Sequence, residues 1–302
     1  MKTCTPLRKG DCVGLVAPSG FVRHGAVGAS VQALVELGLR AAVGQSCFCK
    51  DGYLAGADEV RARDINAMIA DRNIAGIMAI RGGYGAQRIL TLIDWGLFAA
   101  SRKPFFGYSD ATAIHTAIQN RCGLMSYHTP MLATELRHGL DSFSLDAYKA
   151  CLFGGLKCLC NPSDKPLETL AGGVSEGVLT GGNLAILASS MGTPYALDAR
   201  GKVLFIEDIN EEPYRIDRML TQLALGGVFA DCAGVLLGSF TNCEAHIPSD
   251  SLTLRRVLSD HLKGLGKPII VGLACGHGTP TLSLPLGAAV RLDAEKKEVS
   301  FV

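Results

Sequence analysis

The first half of the chain alternates between short apolar segments and segments with helical spacing. Apolar runs at 12–17 (CVGLVA), 75–80 (AGIMAI) and 103–108 (KPFFGY) predict buried strands, each followed by a turn that contains glycine or serine. Between these strands, apolar residues recur at helical spacing. The helical segments are 28–39, 57–73, 86–93 and 111–120. Because such alternation is typical of right-handed crossovers between parallel strands, we predict an α/β domain built on a parallel sheet.

The second half has a different pattern. Residues 154–173 hold Pro162, Pro166 and four glycines with little periodicity, so we interpret this stretch as a linker. Beyond it, shorter strands surround fewer helices, which indicates an α+β or partly barrel-like domain. The predicted strands are 177–180, 202–206, 234–237, 269–271, 288–292 and 299–302. We therefore expect an N-terminal domain at 1–153, a linker at 154–173 and a C-terminal domain at 174–302.

Composition narrows the class of protein. Apolar residues make up 48% of the 302 residues and charged residues 19%, which suits a packed core. The net charge of +1 gives no broad basic surface for nucleic acid or an anionic membrane. No apolar stretch is long enough to span a bilayer, and the first residues lack the apolar region of a signal peptide. With eleven scattered cysteines, an odd number, we expect reduced thiols in a cytoplasmic protein.

A serine follows one of the predicted strands in a turn of small residues. Gly107-Tyr108-Ser109-Asp110-Ala111 places a strand, a Gly-x-Ser-x-small turn and a helix in succession. A nucleophile elbow needs this context, since the sharp turn exposes the serine hydroxyl and the helix start supplies donors near a developing oxyanion. The alternative interpretation is that Ser109 or Asp110 is only the N-cap of the helix.

A glycine-rich turn follows the strand at 75–80. Arg81-Gly82-Gly83-Tyr84-Gly85 lacks both the spacing of a dinucleotide fingerprint and the lysine of a phosphate loop. Glycines at the carboxyl end of a parallel strand let the backbone approach a ligand closely. The backbone N–H groups of Gly82 or Gly83 are thus candidates for one side of an oxyanion hole, and a plain tight turn is the alternative.

An acid and a histidine in the second half complete a set for acyl transfer. Glu207 and Asp208 are expected directly after the strand at 202–206, where solvated loop acids are the alternative. His277 lies between two glycines after the strand at 269–271, which leaves it accessible as a general base. His128 is the rival histidine. The chain order of serine, acid and histidine provides a nucleophile, an orienting carboxylate and a base.

Charged residues next to these motifs are candidates for substrate binding. Arg81, Arg215 and Arg218 have the planar guanidinium that binds a carboxylate with two hydrogen bonds. Glu211 and Glu212 suit an amino group on the substrate. The alternative for each of them is a structural ion pair.

The sequence resembles the LD-carboxypeptidases, also called muramoyltetrapeptide carboxypeptidases, a family of serine peptidases. The resemblance covers nearly the whole chain and follows the family's order. The matching stretches are GLVAPSG (14–20), AIRGGYGAQRIL (79–90), FFGYSDATAIH (105–115), GVLTGGNLAIL (177–187), LFIEDINEEPYRIDRML (204–220) and GLACGHGTP (272–280).

The resemblance implies a flavodoxin-like N-terminal domain and a swivelling, β-barrel-like C-terminal domain. It implies a triad of Ser109, Glu207 and His277, with an oxyanion hole formed by backbone N–H groups of Asp110 and of Gly82 or Gly83. The implied substrate is a murein tetrapeptide that loses its terminal D-alanine during cell-wall recycling. A cytoplasmic homodimer that needs no metal or cofactor is also implied.

Three alternatives remain open at this point. A sister branch of the family is similar in fold and triad but cleaves microcin C-type aminoacyl nucleotides, and it tends to place a tryptophan in a loop to stack on the nucleotide. Here the single tryptophan, Trp95, lies near a helix end of the first domain, which favours the murein branch. A non-catalytic two-domain binding protein would not need the serine, acid and histidine order. An α/β-hydrolase esterase would carry all three residues on one continuous sheet.

Overall fold

A computed structural model describes residues 1–302 and divides the chain into two compact units. The first unit comprises Met1–Leu156 together with Ser283–Pro285. The second comprises Lys157–Leu282 and Leu286–Val302. Each unit is built around its own β-sheet.

The chain forms thirteen strands and nine α-helices, numbered here in chain order. The strands are β1 (Cys12–Val16), β2 (Arg40–Val43), β3 (Ile74–Ala79), β4 (Phe105–Gly107), β5 (Ser126–His128), β6 (Glu168–Ala171), β7 (Val174–Asn183), β8 (Val203–Ile209), β9 (Gly234–Thr241), β10 (Ile269–Val271), β11 (Leu284–Leu286), β12 (Ala289–Asp293) and β13 (Glu298–Phe301). The helices are α1 (Ala26–Glu36), α2 (Asp58–Ala70), α3 (Trp95–Ser101), α4 (Thr112–Ala117), α5 (Ser142–Phe153), α6 (Leu184–Ser190), α7 (Pro213–Leu225), α8 (Val228–Asp231) and α9 (Leu254–Leu262). None of these helices has both the length and the apolar character that crossing a bilayer requires.

The sheet of the first unit has the strand order β2-β1-β3-β4-β5-β11. Strands β1 to β5 all pair in parallel, and their order is that of flavodoxin-like folds. The prediction of an N-terminal parallel-sheet domain is therefore confirmed. In open sheets of this kind, ligands bind beyond the carboxyl ends of the strands, where the glycine turn and the serine turn both lie.

The sheet of the second unit is mixed, with the order β13-β12-β7-β8-β9-β10-β6. Its four central strands, β7 to β10, are parallel, and the outer strands are antiparallel to their neighbours. Helices α6, α7 and α9 contribute to a buried apolar cluster that includes side chains of β8 and β9. This cluster includes Leu184, Leu187, Leu204, Ile206, Ile216, Leu220, Leu223, Val235, Leu237, Val257 and Leu262.

Several boundaries differ from the sequence-based expectation. The stretch interpreted as a linker contains β6, which pairs antiparallel with β10 inside the second sheet. Strand β8 continues to Ile209, so Glu207 and Asp208 lie within the strand and are buried instead of following it. The helix expected at 86–93 is a short 3₁₀ turn at Ala86–Ile89. Strand β8 extends past its apolar residues because β7 pairs with Glu207 and β9 pairs with Asp208 and Ile209, and local sequence does not indicate such pairing.

Candidate active site

Ser109 occupies a strained turn at the carboxyl end of β4. It opens a 3₁₀ turn, Ser109–Ala111, with a φ of 61°, in the left-handed region that few non-glycine residues adopt. Gly107 precedes it with a φ of 149°, and a Cβ there would lie 2.9 Å from the Cβ of Ala79. The serine is partly exposed while its neighbours are buried. This strand, sharp turn and helix have the form of a nucleophile elbow, and such strain is typical of functional sites.

Polar groups beneath the turn hold it in place. The carbonyl oxygen of Gly107 accepts hydrogen bonds from the backbone N–H of Thr129 (3.1 Å) and from Nε2 of His115 (2.8 Å). Burial lowers the pKa of His115 to about 4, so its ring is neutral and Nε2 carries the hydrogen. The hydroxyl of Tyr108 donates to Glu135 at 2.6 Å. These contacts hold the two residues that directly precede Ser109.

Asp110 has a structural side chain. Its buried carboxylate accepts the backbone N–H of Ala86 at 2.8 Å, which ties the serine turn to the end of the glycine turn. Burial raises the pKa of this carboxyl above its usual range. The part of Asp110 that the predicted oxyanion hole requires is its backbone N–H, on the residue directly after Ser109.

The glycine turn lies directly against the serine. A Cβ at Gly82 would be 2.9 Å from both Cβ and Oγ of Ser109, so only glycine fits there. Gly83 has a φ of 115°, and a Cβ there would lie 3.3 Å from Cα of Gly20. No backbone carbonyl accepts the N–H of Gly82 or Gly83. The turn therefore lies directly against Ser109, and the role of its backbone N–H groups in an oxyanion hole stays a prediction.

Arg61 is buried, and no pattern in the sequence indicated it as a site residue. Its side chain is fully buried and donates to the carbonyl oxygens of Gly85 (2.8 Å), Gly56 (3.3 Å) and Pro18, and it pairs with Asp58. These contacts join the loop after β1 to the glycine turn after β3. The sequence carries no signal for this role, because an arginine on an amphipathic helix is expected on the exposed face.

In the second unit, Glu207 and His277 form a buried hydrogen-bonded pair. Oε2 of Glu207 lies 2.7 Å from Nδ1 of His277, and the two side chains are 0% and 11% exposed. Since a carboxylate only accepts, Nδ1 carries the hydrogen and Nε2 is the basic nitrogen. Oε1 of Glu207 is buried without a hydrogen bond. The negative charge of Glu207 is thus directed at the imidazole.

The two glycines beside His277 are required by close contacts. Gly276 has a φ of 122°, and a Cβ there would lie 2.7 Å from Oε2 of Glu207. A Cβ at Gly278 would lie 2.9 Å from Oγ of Ser239. The Gly-His-Gly sequence therefore lets the loop approach β8 closely enough for the histidine to reach the glutamate.

Asp208, the neighbour of Glu207, has a different function. Its carboxylate accepts hydrogen bonds from Nδ2 of Asn183 (2.9 Å) and from the backbone N–H groups of Ala185 (3.0 Å) and Ile209 (2.8 Å). It therefore stabilises the start of α6, and burial raises its pKa to about 6. Successive side chains of a strand point to opposite faces, which separates the two acids.

The candidate substrate-binding residues differ in the hydrogen bonds and ion pairs that their side chains already form. Arg81 is half-buried, with Nε donating to Gly82 (3.1 Å) and Nη1 to Phe21 (2.8 Å) through their carbonyl oxygens. Arg215 is 56% exposed and lies 3.6 Å from Glu211. The substrate-binding roles of Arg215 and Glu211 stay predictions, and the alternative is that the two form a structural ion pair.

Three further residues are placed by the structure. Glu212 lies 3.3 Å from His246, and Arg218 lies over the Tyr214 ring at 5.5 Å. The rival histidine, His128, is buried on β5 and packs edge-on against Tyr108.

All eleven cysteines are thiols, and no cluster of three or more His, Cys, Asp or Glu side chains is arranged to hold a metal ion.

The sequence matches two family domains in the same order as the two units. Residues 13–129 match the LD-carboxypeptidase N-terminal domain and residues 176–292 the LD-carboxypeptidase C-terminal domain. The chain belongs to the LD-carboxypeptidase family. This membership confirms the family resemblance and the expectation of a serine-type carboxypeptidase.

Similar proteins cover nearly the full length of this family member. A probable murein peptide carboxypeptidase of Bacillus subtilis (strain 168) is 40% identical over 294 residues, covering 96% of this chain and 91% of its own. The crystal structure of muramoyltetrapeptide carboxypeptidase from Oxalobacter formigenes has a TM-score of 0.83 at 29% identity, covering 95% and 97%. The microcin C7 self-immunity protein, as an inactive mutant, has a TM-score of 0.90 at 25% identity, covering 99% and 98%.

Proposed function

We propose that this LD-carboxypeptidase releases the terminal D-alanine from murein tetrapeptides during cell-wall recycling, with Ser109, Glu207 and His277 as its catalytic triad. The names of similar proteins support the substrate class. The observation that carries the mechanism is the 2.7 Å hydrogen bond between Glu207 and Nδ1 of His277. This bond sets the tautomer in which Nε2 accepts a proton, which a serine nucleophile requires.

The proposed reaction has two halves. Oγ of Ser109 attacks the carbonyl carbon of the residue before D-alanine while Nε2 of His277 takes the hydroxyl proton. The resulting oxyanion accepts hydrogen bonds from the backbone N–H groups of Asp110 and of Gly82 or Gly83. His277 returns the proton to the amine of D-alanine as the C–N bond breaks. Water then attacks the acyl-enzyme with His277 as base, and the ester bond breaks as His277 returns the proton to Oγ of Ser109, which releases the shortened peptide. Glu207 stabilises the imidazolium formed in each half.

Substrate binding and assembly belong to the same proposal. Arg81 and Arg215 are the proposed partners of the terminal carboxylate, and Glu211 that of the amino group on a diaminopimelate side chain. We further propose a cytoplasmic homodimer whose C-terminal domain, at 174–302, is of the swivelling β-barrel-like type, with 154–173 as the connection from the N-terminal domain at 1–153.

The decisive experiment follows the product. Purified protein is incubated with murein tetrapeptide, with the same peptide amidated at its terminal carboxyl, and with the pentapeptide, and the products are identified by mass spectrometry. We expect fast release of D-alanine from the tetrapeptide and much slower cleavage of its carboxamide, which releases D-alanine amide, and of the pentapeptide, because a carboxypeptidase must recognise a terminal carboxylate at the correct distance. Equal kcat/KM for all three peptides would contradict a carboxypeptidase and indicate a general amidase.

The second candidate substrate is an aminoacyl nucleotide. The structural similarity to the microcin C7 self-immunity protein supports it, and one structure of that protein is in complex with aspartyl sulfamoyl adenosine. Here Trp95 begins helix α3 and its indole N–H donates to the carbonyl oxygen of Leu90 at 2.8 Å, so it is engaged within its own unit. Cleavage of an aminoacyl sulfamoyl adenosine faster than tetrapeptide would favour this candidate over the murein peptide.

A further inference from the structure

A cavity of about 420 Å³ in the first unit collects arginines from three separate segments. Arg23 lies beyond the end of β1, Arg81 follows β3, and Arg137 lies in the segment after β5. All three strands are parallel, so the cavity lies at the carboxyl end of the sheet, where ligands of such folds bind. Of these three arginines, only Arg81 adjoins a motif that is recognisable in the sequence.

The cavity carries more positive than negative charge, with three guanidinium groups and one carboxylate in its lining. None of Arg23, Arg81 and Arg137 forms a salt bridge. Glu135 is the one carboxylate in the lining, and both of its oxygens are occupied. Oε1 accepts the hydroxyl of Tyr108 at 2.6 Å, and Oε2 accepts the backbone N–H of Met131 at 2.9 Å. The cavity therefore has an excess of guanidinium groups, which favours an anionic ligand.

Arg81 is held in a fixed orientation at the edge of this cavity. Nε and Nη1 are bound by backbone carbonyl oxygens, whereas Nη2 makes no hydrogen bond. Arg23 lines the same cavity as Arg81. Burial lowers the pKa of Arg81, and the charge of Arg23 lowers it further. Two like charges at one cavity disfavour each other until an anion binds between them.

Through Gly82, the cavity is linked to the proposed nucleophile, Ser109. Arg81 is bonded to Gly82, and Gly82 packs against the hydroxyl of Ser109. In a peptide cleaved at its last bond, the terminal carboxylate is three bonds from the scissile carbonyl carbon, a distance of about 4 Å. Every other carboxylate of the peptide is further away along the chain. The terminal carboxylate is thus the anionic group that must lie nearest to Arg81.

We propose that the cavity of Arg23, Arg81 and Arg137 binds the terminal carboxylate of the peptide substrate, and that Arg23 and Arg137 determine specificity for it. This inference rests on the proposed carboxypeptidase function and deepens it. Guanidinium groups bind a carboxylate with charge-assisted hydrogen bonds, and an arrangement of three allows one fixed group and two mobile ones. Because Arg23 and Arg137 are exposed, they can reach the carboxylate without loss of a structural contact.

The test combines substitutions in the protein with amidation of the substrate. Arg23→Gln and Arg137→Gln are compared with wild type on the tetrapeptide and on its terminal carboxamide. We expect each substitution to raise KM about tenfold on the acid with little change in kcat, because binding is lost equally in ground and transition states. On the carboxamide the same substitutions have little effect, since the carboxylate is already absent. The matched control is Arg72→Gln, because Arg72 is an exposed arginine at the opposite end of β3. We expect this substitution to leave KM and kcat on both substrates unchanged.

A third substrate distinguishes the terminal carboxylate from an internal one. It is the tetrapeptide amidated only at the carboxyl group on the side chain of its diaminopimelate residue. If the effect of Arg23→Gln and Arg137→Gln disappears on this peptide and not on the terminal carboxamide, the cavity binds the internal carboxylate and the proposal is overturned. Equal effects on all three peptides overturn it as well.

Binding to an inactive variant separates this proposal from the proposed function. The affinity of Ser109→Ala for the tetrapeptide and its carboxamide is measured by titration calorimetry, with and without Arg137→Gln. A carboxylate-dependent effect of Arg137 on affinity supports the cavity even if wild type releases no D-alanine. Turnover of the tetrapeptide with no effect of either arginine on KM or affinity keeps the function and rejects the cavity.

Discussion

The two units prepare their candidate catalytic residues by different physical means. In the first unit, backbone conformation does so: Ser109 is held at a positive φ, and Gly82 has no side chain where it meets the serine hydroxyl. In the second unit, a side-chain hydrogen bond joins Glu207 and His277 across 70 residues of sequence. The first arrangement is sensitive to steric changes and the second to a change in charge.

Ser109→Ala tests the chemistry of the first unit without altering its backbone. Alanine keeps the Cβ but removes the hydroxyl, so we expect kcat on the tetrapeptide to fall by a factor on the order of 10⁶. Circular dichroism and the melting temperature are expected to remain those of wild type. Ser249→Ala, in another 3₁₀ turn and exposed, is the control with normal activity. Activity of Ser109→Ala within tenfold of wild type would rule out Ser109 as nucleophile.

Glu207→Gln tests the electrostatic arrangement of the second unit. Glutamine has nearly the same shape but no charge, so the imidazolium loses its stabilising partner and the tautomer is no longer fixed. By analogy with triads in general, we expect kcat to fall by about 10⁴ in a folded protein. His277→Ala is expected to lose at least as much. Were His128→Ala inactive and His277→Ala active, the choice of histidine would be wrong.

Gly82→Ala tests whether a steric change alone disturbs the first unit. Its Cβ would come within 2.9 Å of Ser109 Oγ, so the serine or the turn must shift. A displacement of this size is expected to reduce kcat/KM by about 10². The matched control is Gly28→Ala in helix α1, where a Cβ meets nothing within 4 Å. This control keeps full activity and stabilises the protein by about 0.5–1 kcal/mol, measured by urea unfolding. Equal activity of the two variants would contradict the steric argument.

Asp208→Asn sharpens the contrast with the neighbouring Glu207, because we expect it to change stability and not the chemical step. The folded-state pKa of Asp208 is raised to about 6 from 3.8. An acid with a raised folded pKa binds more protons when folded, so its contribution to stability declines as pH rises from about 4 through 6. The free energy of unfolding of wild type minus that of Asp208→Asn is therefore expected to fall by about 1 kcal/mol between pH 5 and pH 7. A pH-independent difference would show that Asp208 does not titrate in this range.

Local sequence patterns predicted the strands that are formed by continuous apolar residues. The strands at β1, β3 and β4 are continuous apolar runs that end in glycine or serine turns, which is the form of buried parallel strands. Strands β2, β5 and β11 were not predicted from the sequence, for separate reasons. β2 is half-exposed, β5 contains Ser126 and His128, and β11 contains a proline. Such short strands exist because neighbouring strands pair with them, and no local propensity indicates that pairing.

Local patterns predicted the parallel sheet and the turns that carry Ser109 and His277, because glycine turns and apolar periodicity are local properties of the chain. Those patterns did not distinguish Glu207 from Asp208, and Glu207 was implied by the resemblance of motifs to the family. The contact of Glu207 with His277 depends on the tertiary structure, since it requires the Gly276 loop to approach one particular face of β8. The tertiary structure also decided that Arg61 is buried and that Arg23, Arg81 and Arg137 share one cavity. Those three arginines are far apart in sequence, and they lie together because parallel strands bring all their carboxyl ends to the same edge of the sheet.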